Sequence, residues 1–166
     1  MTMSVPIYSV TVRREFIAQH FLVGGDWGRE NEVNSHRYRI EARYEGTSLD
    51  RHGFLLDIDD IEDKLDGLVK RYRDRTLNEL PEFEGLNPSV ENFARIVSDL
   101  LLVTTPNVRA LEVTIWEDDN ASAARKAPAH GYAAPRCTAA MSAGQSSRPS
   151  EIAPFPNFFT NSQAET

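Results

Sequence analysis

Asn34-Ser35-His36-Arg37-Tyr38, read together with His20 sixteen residues before His36, is the stretch on which the fold turns. From position 36 to 44, His36, Tyr38, Ile40, Ala42 and Tyr44 share one parity, and Arg37, Arg39, Glu41 and Arg43 share the other. That alternation predicts a strand with one apolar and one wet face. Upstream, Phe16, Ala18, His20 and Leu22 also fall on one parity. Each histidine therefore lies on the apolar side, near one end of its strand. If the two strands pair, the imidazoles meet. A lone histidine on such a face is also compatible with a plain backbone hydrogen bond, and both readings stay open at this point.

Outward from these strands, residues 7–22 read as the first long strand, and Gly24, Gly25 and Gly28 punctuate the loop after it. Residues 36–45 form the second. A helix is expected from Asp57 or Asp59, either of which can cap it. Ile61, Leu65, Leu68 and Tyr72 mark its buried stripe, and Lys70, Arg71 and Arg73 suit its C-terminal end. A second helix is expected to open with Asn87 as its cap and Pro88 in the first helical position, and to bury Val90, Phe93, Ile96, Val97 and Leu100. Residues 109–116 form a last strand with Leu111, Val113 and Ile115 inward and Glu117 on the same parity. No hairpin partner after Glu117 is evident. Strand, strand, helix, helix, strand predicts an α+β domain with both helices on one face of an antiparallel sheet.

The 166 residues suit one domain and a tail, with the division near residue 125. Residues 1–125 hold 15 basic and 23 acidic side chains, and the chain carries a net charge of −7, which argues against a nucleic-acid partner. Residues 126–166 contain nine alanines, five prolines and five serines, a low-complexity composition. Their one apolar segment, residues 154–159, is a candidate for docking on a protein partner. The single cysteine, Cys137, excludes an intrachain disulfide and suits a reducing compartment. There is no run of transmembrane length and no export-signal pattern at the N-terminus, so a cytoplasmic protein is expected.

These segments resemble, in order, the signatures of the 6-pyruvoyl-tetrahydropterin synthase and 6-carboxytetrahydropterin synthase family. The elements are Phe16-Ile17-Ala18-Gln19-His20, Asn34-Ser35-His36-Arg37-Tyr38, Gly53-Phe54-Leu55-Leu56-Asp57, Leu77-Asn78, Asn87-Pro88-Ser89-Val90-Glu91-Asn92, and Glu117 followed by Ala121-Ser122-Ala123. The resemblance implies the T-fold, also called the tunnelling fold, and a zinc-assisted lyase or isomerase acting on the side chain of dihydroneopterin triphosphate or a similar pterin. It also implies a homo-oligomer, a trimer or hexamer, with sites between subunits. The family's three zinc histidines fall on His20, Asn34 and His36. An amide is a poorer ligand than imidazole, so weak or lost metal binding is expected. The family's catalytic cysteine falls on Glu30, and one branch carries glutamate there, which makes Glu30 a candidate base. Asp74 matches the family's relay aspartate with a one-residue gap, without the histidine that follows it. Glu117 matches the carboxylate that anchors the pterin ring, where two parallel charge-assisted hydrogen bonds would be strong. The alternative is a non-catalytic relative that serves as a ligand-binding or structural accessory subunit of a larger assembly. Light scattering at micromolar concentration should give a mass of at least three chains; a monomer would contradict the expected assembly.

Overall fold

The computed structural model describes residues 7–103 and 105–129. Among the described residues there are four strands and two α-helices, with short 3-10 turns between them: β1 (Tyr8–His20), β2 (Asn34–Gly46), α1 (Ile58–Tyr72), α2 (Val90–Leu101), β3 (Val108–Trp116) and β4 (Ser122–Pro128). The strands form one antiparallel sheet in the order β1-β2-β3-β4. Helix α1 packs on β1, and α2 packs on β3 and β4. This is the α+β architecture that the pattern predicts.

The sheet is two-sided because its strands alternate. Val12, Phe16, Ala18, Tyr38, Ile40, Ala42, Tyr44, Leu111, Val113 and Ile115 are buried under the helices. The opposite face carries ion pairs between strands, such as Arg13 with Glu41 at 2.6 Å and Arg39 with Glu15 at 2.9 Å. Helix α1 starts where Asp57 accepts a hydrogen bond from the Asp59 amide, and it buries Ile61, Leu65, Leu68, Val69 and Tyr72. Among the described residues no helix is long and apolar enough to cross a membrane.

Two expectations need correction. The cap of α2 is Ser89, whose side chain accepts from the Asn92 amide, and not Asn87. Asn87 is occupied elsewhere: its side chain accepts from the Val23 amide at 2.8 Å and donates to the Val23 carbonyl at 3.0 Å. A hairpin partner for β3 does exist. Strand β4 pairs from Ser122 opposite Trp116 to Pro128 opposite Ala110, and so runs three residues past position 125. It was hard to see because its inward positions are Ala123, Arg125 and Ala127, with little apolar bulk. Arg125 reaches α2 instead, donating to the Arg95 carbonyl and to Asp99. Cys137 and the apolar segment 154–159 lie outside the described residues.

Beneath one end of the sheet lies an aromatic cluster centred on Phe93. Its ring centroid lies 4.9 Å from that of Tyr72, 5.5 Å from Phe83, 5.6 Å from Tyr38 and 6.2 Å from Phe16, all edge to face. Such pairs contribute beyond the area they bury. Because Phe93 joins α2 to α1, β1 and β2 and is fully buried, Phe93→Ala should destabilise the domain by about 3–5 kcal/mol, measured by denaturant unfolding.

Candidate metal centre and cleft

The β1–β2 register sets His20 opposite Asn34 and Ala18 opposite His36. Strand parity turns all four side chains to the same face, so the imidazoles of His20 and His36 stack edge to face with centroids 4.9 Å apart. Tyr38 lies beside both, at 6.1 Å from His20 and 5.9 Å from His36. Burial, followed by the negative charges of Glu117 and Glu30, raises the Tyr38 hydroxyl well above its ordinary range. Tyr38 therefore stays a neutral phenol beside the two histidines.

Two carboxylates close on the pair. Glu117 follows directly after β3, and its Oε1 lies 3.1 Å from His20 Nε2 and 3.7 Å from His36 Nε2. Glu30 comes from a short 3-10 turn, Gly28–Asn31, in the loop between β1 and β2. That loop is tied down by side-chain amides. Asn31 donates to the carbonyls of Leu22 and Gly25, and the Leu22 amide donates to the Glu30 carbonyl at 2.6 Å. Asn78 brackets Phe21, accepting from its amide and donating to its carbonyl, just as Asn87 brackets Val23. The result sets Glu30 Oε2 3.4 Å from His20 Nε2.

One ligand atom from each of His20, Glu30, His36 and Glu117 lies within 4.8 Å of the others. Imidazole and carboxylate are donors that divalent ions such as zinc accept. His20 is 2 % exposed, and its Nδ1 lies 3.0 Å from the Pro88 carbonyl. That contact places the proton on Nδ1 and leaves Nε2 as the free lone pair, the orientation typical of metal-bound histidine. Although both carboxylates approach Nε2, neither is aligned to hydrogen-bond with it. A buried nitrogen without such a bond is costly unless something else satisfies it. The donor set and the orphaned Nε2 together fit a divalent cation.

Of the other expected site residues, Asn34 belongs to the cluster and Asp74 does not. Asn34 donates to Glu30 Oε2 at 3.3 Å and to the Glu32 carbonyl at 3.0 Å, and its Oδ1 meets His36 Nε2. Asp74 is an exposed turn residue with φ of 58°, and its amide donates to the Ile17 carbonyl at the outer edge of β1. A cleft of about 390 Å³ opens beside the cluster, lined by Arg29, Glu30, Glu32, Val33, Asn34, Ser35 and His36. Sequence reasoning missed the carbonyl of Pro88 and the bracketing roles of Asn78 and Asn87. The only sequence signal for them was an asparagine in two consecutive short motifs after α1.

Comparisons with known proteins bear on the family and the fold. The family model described as 6-pyruvoyl tetrahydropterin synthase matches residues 9–128. A dihydroneopterin monophosphate aldolase of Pyrococcus furiosus is 27% identical over 109 residues, covering 65% of this chain and 88% of the relative. The structure of the 6-pyruvoyl tetrahydropterin synthase of Caenorhabditis elegans superimposes with a TM-score of 0.63 at 18% identity, covering 76% of this chain and 99% of that one. A catalytic-residue variant of the Plasmodium vivax enzyme, glutamate to alanine, gives 0.62 at 15% identity, covering 74% of this chain and 99% of that one. The two structures share the fold.

The His20–Glu117 pair links stability to pH with opposite signs. Burial opposes protonation of His20, but Glu117 beside it, the Pro88 carbonyl and the charge of Glu30 outweigh burial and hold it above 6.5. Its contribution is complete below that ordinary value and is lost as pH rises through the higher folded value. Pairing with His20 outweighs burial at Glu117 and holds it below 4.5, so its contribution is present above 4.5 and is lost as pH falls through the lower folded value. In chelator-treated protein the pair should stabilise most between 4.5 and 6.5. Denaturant unfolding followed from below 4.5 to above 6.5 should show Glu117→Gln flattening the profile on both flanks of that range.

Proposed function

Because this chain belongs to the 6-pyruvoyl tetrahydropterin synthase family, we propose that it is a metal-assisted lyase cleaving the side chain of a dihydroneopterin phosphate. The observation that carries the reading is the place of Glu30: a carboxylate on the wall of the cleft, 3.4 Å from a buried histidine and held by Asn34. The aldolase relative favours carbon–carbon cleavage of a monophosphate. A catalytic glutamate in the Plasmodium vivax enzyme supports a carboxylate as the acid–base group.

In a retro-aldol cleavage Glu30 takes the proton of the hydroxyl on the second side-chain carbon. That carbon becomes an aldehyde as its bond to the first breaks, and the bonding electrons move into the C=N bond of the pterin ring. A proton returned by Glu30 to the first carbon completes a hydroxymethyl pterin and restores the carboxylate. His20 and His36 would hold zinc, and bound metal supplies Lewis-acid polarisation of a side-chain oxygen. The chain's own residues do the rest. Pro88 fixes the His20 tautomer, Asn34 aims Glu30, and Tyr38 remains a neutral phenol beside the histidines. Homo-oligomer assembly belongs to the same reading: Asp74, exposed and outside its own chain's cluster, would then serve the site of a neighbouring copy.

Incubating the protein and zinc separately with dihydroneopterin monophosphate and triphosphate, with products followed by mass spectrometry, tests the reading. The monophosphate should yield a hydroxymethyl dihydropterin and a two-carbon aldehyde phosphate. Glu30→Gln should lower kcat by about 10²- to 10⁴-fold with little change in KM. Absence of any product from folded, metal-replete protein would overturn the proposal.

A further inference from the structure

Residue 34 lies directly across from His20, yet its side chain is committed elsewhere. The Asn34 amide group donates to Glu30 and to the Glu32 carbonyl, and its oxygen is turned onto His36. A two-histidine site needs another donor, and two carboxylates are near. Glu117 Oε1 lies between the imidazoles, 3.1 Å from one Nε2 and 3.7 Å from the other. Its side chain is 24% exposed, against 42% for Glu30. Glu30 approaches His20, but its Oε2 already accepts from Asn34. The wall of the cleft includes Glu30 and His36 but not Glu117.

We infer that Glu117 supplies the third metal ligand, in place of the imidazole that position 34 does not provide, and that Glu30 is left free for proton transfer. This rests on the reading above that the cluster holds a divalent ion. The centre is then two neutral imidazoles, from β1 and β2, and one carboxylate from the residue that follows β3. With Oε1 between the histidines, Glu117 cannot also lay both oxygens along the N–H edge of a pterin ring, so the ring clamp expected of it is replaced. Oxygen in the ligand set also moves preference toward harder ions than three imidazoles would choose.

Cobalt(II) titration of the chelator-treated full chain, read by visible absorption, tests the assignment without reference to turnover. Glu117→Gln should weaken cobalt binding by at least about 100-fold, beyond the roughly 10–100-fold that losing an outer partner costs. Glu30→Gln should stay within about tenfold of wild type. Adding Asn34→His to Glu117→Gln should recover at least about tenfold, which loss of fold in the single variant would not allow. If wild type binds cobalt and Glu117→Gln binds it equally well, the inference falls and the lyase reading stands. A larger loss in Glu30→Gln than in Glu117→Gln, or no rescue by Asn34→His, overturns it too. If wild type gives no cobalt spectrum, the metal reading falls with it.

Discussion

The pairing register of β1 with β2 is the constraint on which the site depends. It sets His20 opposite Asn34 and Ala18 opposite His36, and it turns Phe16, Ala18 and His20 under the helices together. A slip of one residue would carry that whole set to the other face. Two opposed requirements hold the register. The inward side must bury aromatic and aliphatic groups, and the outward side must match Arg13 with Glu41 and Glu15 with Arg39. Exposed ion pairs contribute little stability each. Their larger effect here is to penalise the misaligned pairing, in which charged side chains would enter the core.

From that register the other parts follow in order. Phe93 fills the space between α2 and the first two strands, packing against Tyr38 and Phe16. Tyr38 sits between this aromatic packing and the histidines. The segment just before the cap of α2 supplies the Pro88 carbonyl that fixes His20. The same packing that stabilises the domain thus orients the histidine, and a loss of core packing near Phe93 would also disturb the site.

The helices and the three longer strands were legible because their apolar residues recur with clear periods. His20, His36 and Glu117 were legible as inward-facing by parity alone. Strand β4 was not, because alanine and arginine give no alternation and Arg125 satisfies itself on α2. The α2 cap was misread because Asn87 and Ser89 are both good caps, and only tertiary contact shows that Asn87 is spent on Val23. The nearness of Glu30 to His20 was invisible for a similar reason. It depends on a loop whose course is set by amide brackets between residues far apart in the chain.

Those brackets have a dynamic consequence. An asparagine side chain offers one acceptor and a donor group, much as a peptide unit does. Asn78 and Asn87 therefore hold Phe21 and Val23 as a neighbouring strand would, with four hydrogen bonds and no strand. A segment fastened this way is not part of the cooperative ladder. It can open locally at a free energy well below that of global unfolding. Glu30 travels with it, through the bond between Leu22 and its carbonyl, while His20 and His36 stay on the sheet. The geometry of the cluster therefore rests on two separately fastened parts, a loop held by side-chain amides and a pair of strands held by their register.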